Sequence, residues 1–137
     1  MTWRVLLWGD VAFYFALLVL AVWIRPHTAT LGIGVGVASV AFPLWVLARV
    51  QLGSAFSFMP EARTLVTTGL YARIRHLVYL FGTLAGLGSL LALQIWPILV
   101  FGLALTPITV LRSIREDRVL ESTFGTEYER YRAQTWF

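Results

Sequence analysis

Apolar residues in this chain gather in long blocks. They do not alternate with polar residues at the period of a half-buried helix or strand. A helix on a water-soluble core keeps one polar face, and an unbroken apolar block has none to offer water. Four blocks stand out, at about residues 5–24, 31–50, 77–96 and 98–114. Each comes close to the ~20 residues an α-helix needs to cross the hydrocarbon of a bilayer. Arg25-Pro26-His27-Thr28 ends the first block, because proline does not continue a helix comfortably. Pro43 lies inside the second block, Pro107 inside the fourth, and Pro97 at the fourth's favoured first-turn position. Gly32, Gly34 and Gly36 open the second block, and Gly82, Gly86 and Gly88 punctuate the third. Small residues in such helices let backbones approach closely. The pattern predicts an all-α polytopic membrane protein of about four transmembrane helices.

The polar remainder divides this single domain, residues 1–137, into four parts. Residues 1–50 form two helices and residues 51–76 a polar connection, which holds Pro60, Glu61, Arg63, Thr64, Thr67, Thr68, Gly69, Arg73 and Arg75. A connection that long is predicted to be functional or partly helical. Residues 77–114 form a helical hairpin and residues 115–137 a charged tail. In the tail, Leu120, Phe124, Tyr128 and Tyr131 recur at helical spacing, which predicts an amphipathic helix lying on the membrane and broken at Gly125.

Arginine placement predicts orientation. Arg49, Arg63, Arg73 and Arg75 cluster after the second block, and Arg115, Arg118, Arg130 and Arg132 after the fourth. Two helices separate the clusters, so both face the cytoplasm, together with the amino terminus and Arg4. The first block follows Arg4 as a signal peptide would. It lacks a small-residue cleavage pattern, so it reads as a retained helix. The expected location is an inner, cytoplasmic-type membrane with both termini inside.

Composition sharpens this picture. Of 137 residues, 58% are hydrophobic and 13% charged, and the mean hydropathy is +0.76. That is too little charge to cover a soluble domain. The net charge is +4, carried entirely by arginine among the cations. The arginines stand at block ends, as headgroup anchors do, with no basic face interleaved with polar surface. Nucleic acid is therefore not an expected partner. Trp3, Trp8, Trp23 and Trp45 read as interfacial belts. There is no cysteine, which excludes disulfides, thiolate metal sites and a cysteine nucleophile. The two histidines lack suitable partners for a metal centre.

The chemistry converges at one corner. The four-block topology brings Arg75, His76 and Tyr79, at the start of the third block, near Arg112, Glu116 and Asp117 at the end of the fourth. Ionisable groups at membrane depth are costly and are usually paired or functional. Arg112 and Glu116 are four apart and share a helix face, so taken alone they read as an ion pair at a helix end. His76 alone reads as an interfacial residue. Gly86-Leu87-Gly88 has no strand before it, so it is a packing feature and not a dinucleotide fingerprint.

The order of the elements carries more. Ala48-Arg49-Val50-Gln51-Leu52-Gly53 precedes the run Leu65-Val66-Thr67-Thr68-Gly69-Leu70-Tyr71-Ala72-Arg73-Ile74-Arg75-His76-Leu77-Val78-Tyr79. An apolar hairpin follows, then Arg112-Ser113-Ile114-Arg115-Glu116-Asp117-Arg118, then Phe124-Gly125-Thr126-Glu127-Tyr128-Glu129-Arg130-Tyr131. Over residues 48 to 132 this resembles the isoprenylcysteine carboxyl methyltransferases and their phospholipid methyltransferase relatives. The resemblance implies S-adenosylmethionine as methyl donor, held by Tyr71, Arg75, His76, Tyr79 and Glu116. It implies Arg112 and Glu116 as catalytic residues. It also implies a lipid or other hydrophobic acceptor, reached from the surrounding membrane lipids. Four positions depart from the family pattern: Leu70 and Leu77 replace prolines, Phe81 stands at a usual glycine, and Asp117 replaces a second glutamate. A related membrane reductase and a non-catalytic helical protein are the competing readings.

Overall fold

The computed structural model describes residues 3–53 and 65–136, with side chains from residue 8. The expectations placed on Trp3, Arg4, Pro60, Glu61, Arg63 and Thr64 lie outside the described backbone or side chains. Among the described residues five α-helices run α1 (Trp3–Ile24), α2 (Ala29–Leu52), α3 (Leu77–Leu93), α4 (Trp96–Phe124) and α5 (Thr126–Gln134). A 3-10 turn, Gly69–Ala72, precedes α3. The described residues contain no strand beyond a single bridge, Ile74 to Trp136.

Helix limits follow local chemistry. The Thr28 hydroxyl accepts the Leu31 amide at 3.3 Å and caps α2. α3 stops at Gln94, whose left-handed backbone (φ 54) turns the chain before α4. Pro97 occupies the first turn of α4, where a missing amide costs nothing. α2 and α4 are long and apolar enough to cross a bilayer. α1 and α3 offer shorter apolar stretches, Trp8–Ile24 and Leu77–Leu93. α4 continues ten residues past Ile114, where the fourth block ends, so those residues extend the helix instead of beginning a separate tail. The break comes at Gly125, whose φ of 52 and ψ of −124 suit glycine alone.

The most extensive interface joins α2 and α3. Helices whose facing surfaces are small pair through close van der Waals contact. Small residues provide it. A Cβ on Gly34 would sit 2.4 Å from the Ala92 amide nitrogen, and one on Gly88 would sit 2.8 Å from the Ala38 nitrogen. Ala38, Ala41 and Ala48 are buried along α2, and Ala85, Ser89 and Ala92 along α3. Gly32 and Gly36 face open space, so of the glycines opening the second block only Gly34 makes the crossing.

The two ends of the bundle are held by different bonds. At one end the Gln94 side-chain amide donates to the Thr28 hydroxyl at 3.2 Å, joining the α1–α2 turn to the α3–α4 turn. At the other end the Tyr71 hydroxyl donates to the Ala48 carbonyl at 3.3 Å, and the Leu70 amide donates to Gln51 at 2.9 Å. The 3-10 turn is thereby fastened to the end of α2. Nearby, the nearly buried Arg49 pairs with Asp10 of α1 and lies 5.0 Å from the Trp45 ring centroid.

Candidate functional site

The polar end of α3 and the charged extension of α4 meet around a small chamber. Tyr71 lines it from the 3-10 turn, Arg75 and His76 from the link that follows, Tyr79 from α3, and Glu116 and Asp117 from α4. Every donor-binding residue expected from the sequence is therefore in one place. The remaining expected residue, Arg112, lies one turn deeper on α4. Its guanidinium carbon stands 5.7 Å from the centroid of the Tyr79 ring.

Arg112 and Glu116 do not form the simple helix-end ion pair that their spacing suggests. Among the described residues no contact within 4 Å joins their charged groups. Arg112 covers Tyr79 instead, an arrangement that places a cation on an aromatic face. Its Nε is buried without a hydrogen-bond partner, and so is Oε2 of Glu116. Buried polar atoms are nearly always satisfied, so two orphans one helical turn apart mark a place built for something else. Arg75 Nε is a third such atom.

Asp117 is differently placed. Its Oδ1 lies 3.1 Å from His76 Nε2 and also accepts the Tyr128 hydroxyl. Asp117 stands beyond the apolar stretch of α4. Burial alone would raise its carboxyl, but the hydrogen bonds from His76 and Tyr128, with the nearby Arg75 charge, hold it below the ordinary value. The sign follows directly. The ionised carboxylate stabilises the fold above the ordinary carboxylate range, and that contribution is lost as the pH falls through the depressed folded value. Wild-type protein in detergent is therefore expected to lose melting temperature on acidification below about pH 4. Asp117→Asn should show a shallower loss, read by thermal unfolding across the acid range.

The C-terminal helix was expected to lie on the membrane. Its aromatic face turns inward instead. Tyr128 is fully buried and Tyr131 nearly so, and both line the chamber. The Tyr131 hydroxyl donates to the Tyr71 carbonyl at 2.7 Å. Arg75 Nη1 donates to the Arg132 carbonyl at 3.2 Å and to the Thr135 hydroxyl at 3.0 Å. The Trp136 amide donates to the Arg73 carbonyl at 2.7 Å. Burial is the main cause that raises the Tyr71 and Tyr128 hydroxyls above their ordinary range and pushes Tyr131 up to about 12. All three stay neutral hydrogen-bond donors at physiological pH. Sequence reasoning noted Tyr128 and Tyr131 for their spacing but gave them no part in the site. The missed signal was their hydroxyls, which need polar partners when buried.

No family model, curated protein or solved structure matches this chain.

Two apolar grooves flank the contact between α3 and α4. The larger, about 330 Å³, runs from Val78 and Tyr79 past Thr83, Gly86 and Thr106 to Leu90 and Gly102. The other, about 250 Å³, also begins at His76 and Tyr79. Tyr79 thus borders the polar chamber and both grooves. The Thr106 and Thr109 hydroxyls donate to carbonyls of their own helix, at 3.3 and 2.7 Å. With their polar atoms occupied there, these threonines leave the grooves effectively apolar. No group of three or more histidine, aspartate or glutamate side chains suited to a metal ion occurs among the described residues.

Proposed function

We propose that this chain is an integral membrane methyltransferase that moves a methyl group from S-adenosylmethionine to a lipid-like or hydrophobic acceptor. In this reading all four long helices span the bilayer, and the chamber and both termini face the cytoplasm. The arginines after α2 and along the end of α4 support that orientation. The lengths of α1 and α3 fall within the range of ~17–25 residues that can cross a bilayer.

One observation carries the proposal. A carboxylate oxygen, Glu116 Oε2, is buried without a partner in a chamber also lined by Tyr71, Arg75, His76 and Tyr79. The donor set suits the two ends of a zwitterion. Glu116 would receive an ammonium, and the unpartnered Arg75 Nε would face a carboxylate. The Tyr79 ring would lie against a sulfonium, since aromatic faces attract cations. The chamber holds about 60 Å³, against ~300–1,000 Å³ for ordinary small-molecule sites. It has room for the charged amino-acid end alone, so binding the whole donor requires lining side chains to yield. When bound, S-adenosylmethionine supplies an electrophilic methyl on a sulfonium, and that methyl passes by in-line displacement.

The remaining steps belong to the chain's own residues. A carboxylate or thiolate acceptor needs only alignment and exclusion of water. Arg112 would hold such an anion. An amine acceptor must lose a proton, and Glu116 or His76 would take it. The larger groove supports an apolar acceptor entering sideways from the bilayer, its reactive end at Tyr79.

Calorimetric titration of the detergent-solubilised protein with S-adenosylhomocysteine tests the donor, and transfer of labelled methyl groups into a lipid extract tests the acceptor. Saturable binding and labelled lipid are the expected results. Absence of binding, or binding of a nicotinamide nucleotide in its place, would overturn the proposal.

Gly102→Leu probes the groove separately. A side chain at Gly102 would point at Leu90 and Leu87 and fill the groove's far end. Transfer to a long-chain acceptor should fall about tenfold while donor affinity stays unchanged. Equal transfer in both proteins would show that the acceptor lies elsewhere.

A further inference from the structure

Glu116 and Asp117 are neighbours on α4, yet their carboxylates meet different surroundings. Successive residues on a helix point about 100° apart, so the two side chains leave α4 in different directions. Glu116 Oε2 is left open. Asp117 Oδ1 has its two acceptor positions filled by His76 Nε2 and the Tyr128 hydroxyl. His76 is 6% exposed, Tyr128 is fully buried and the Asp117 side chain is 18% exposed, so both contacts are largely shielded from water.

We infer that Asp117 and Tyr128 are positioning residues: Asp117 holds His76 with a hydrogen on Nε2, and Tyr128 sets Asp117 from the C-terminal helix. A carboxylate has no hydrogen to give, so a hydrogen bond across this 3.1 Å contact takes its hydrogen from Nε2. In the neutral ring that leaves Nδ1 as the basic nitrogen, and any proton the ring accepts goes there. The two acids therefore divide the work. Glu116 meets the ligand, whereas Asp117 is spent on orienting the ring beside it. Arg75 is the other charge acting on Asp117, and Arg75 is itself bonded to Arg132 and Thr135 at the end of α5. The geometry of His76 thus depends on α5 being docked.

The consequence for donor affinity rests on the methyltransferase reading, but the state of the ring does not. Nitrogen-15 NMR of histidine-labelled protein in detergent reads that state directly. The chain has only two histidines, and the exposed His27 is removed from the spectrum by His27→Gln. At mildly alkaline pH, His76 should show a protonated Nε2 and a bare Nδ1. Asp117→Ala should give a mixture of tautomers, and Asp117→Asn, which keeps the acceptor oxygen, should restore the single form. Tyr128→Phe preserves the ring volume, guarding against misfolding, and should move the Nε2 proton resonance. S-adenosylhomocysteine affinity should fall about tenfold in Asp117→Ala and largely recover in Asp117→Asn.

A bare Nε2 in the wild-type protein would overturn the inference, as would an Asp117→Ala spectrum identical to wild type. An unmoved Nε2 proton in Tyr128→Phe would remove Tyr128 from it. If the wild-type protein fails to bind S-adenosylhomocysteine, the donor reading falls, and the NMR result still decides the role of Asp117.

Discussion

Glu116→Gln is expected to weaken donor binding by roughly 10–100-fold, the range of a lost hydrogen bond to a charged group. Methyl transfer should fall to background while the folded state survives. The physical reason lies in the isolation of Oε2. Among the described residues Oε2 has no hydrogen-bond partner, so losing its charge should disturb the fold little. The amide keeps the side-chain volume, so the melting temperature should stay close to that of the wild type. Arg112→Ala should abolish transfer with a smaller effect on donor affinity, because Arg112 contacts Tyr79 and lies outside the chamber lining. Calorimetry and thermal unfolding of the same preparations separate these effects. Wild-type turnover in Glu116→Gln would remove the proposed site.

Gly34→Ala should have the largest effect on stability. A single added methyl would lie 2.4 Å from the Ala92 nitrogen and 2.8 Å from its Cα. Both are backbone atoms, so no rotamer change relieves the clash, and α2 and α3 must separate. Overpacking typically costs about 1–3 kcal/mol, and the upper end applies where rigid backbone must move. Loss of the α2–α3 contact would also displace Ala48, which anchors Tyr71 at the chamber. Gly36→Ala, with nothing within 4 Å of the new methyl, is the matched control. Melting curves and size-exclusion profiles in detergent should show Gly34→Ala shifted well below Gly36→Ala. Equal curves would mean that the close crossing contributes little.

Much of the helical architecture was legible because apolar blocks and their breakers are local signals. Arg25-Pro26 ends α1, Thr28 caps α2, and Pro97 opens α4, each through groups within a few residues. The meeting of Arg75 and His76 with Glu116 followed from counting helices, which fixes the end of a hairpin at which each polar stretch falls. The partners at that meeting were not legible. Spacing paired Arg112 with Glu116, but the fold turned Arg112 onto Tyr79. Spacing laid Tyr128 and Tyr131 on a membrane surface, but the fold buried them against Asp117 and Tyr71. Periodicity shows that a face is apolar, not what covers it.

The chain's own pattern therefore determined where most helices begin and break, which residues are small enough to cross closely, and which charges gather at one end. Only the tertiary structure decided that Gly34 and Gly88, rather than Gly32 or Gly36, make the crossing. It also decided that Asp117 serves His76 while Glu116 stays open. The physical reason is one of range. Backbone propensity and apolar patterning act over a few residues, whereas a hydrogen bond between residues 41 positions apart exists only once packing has set both in place.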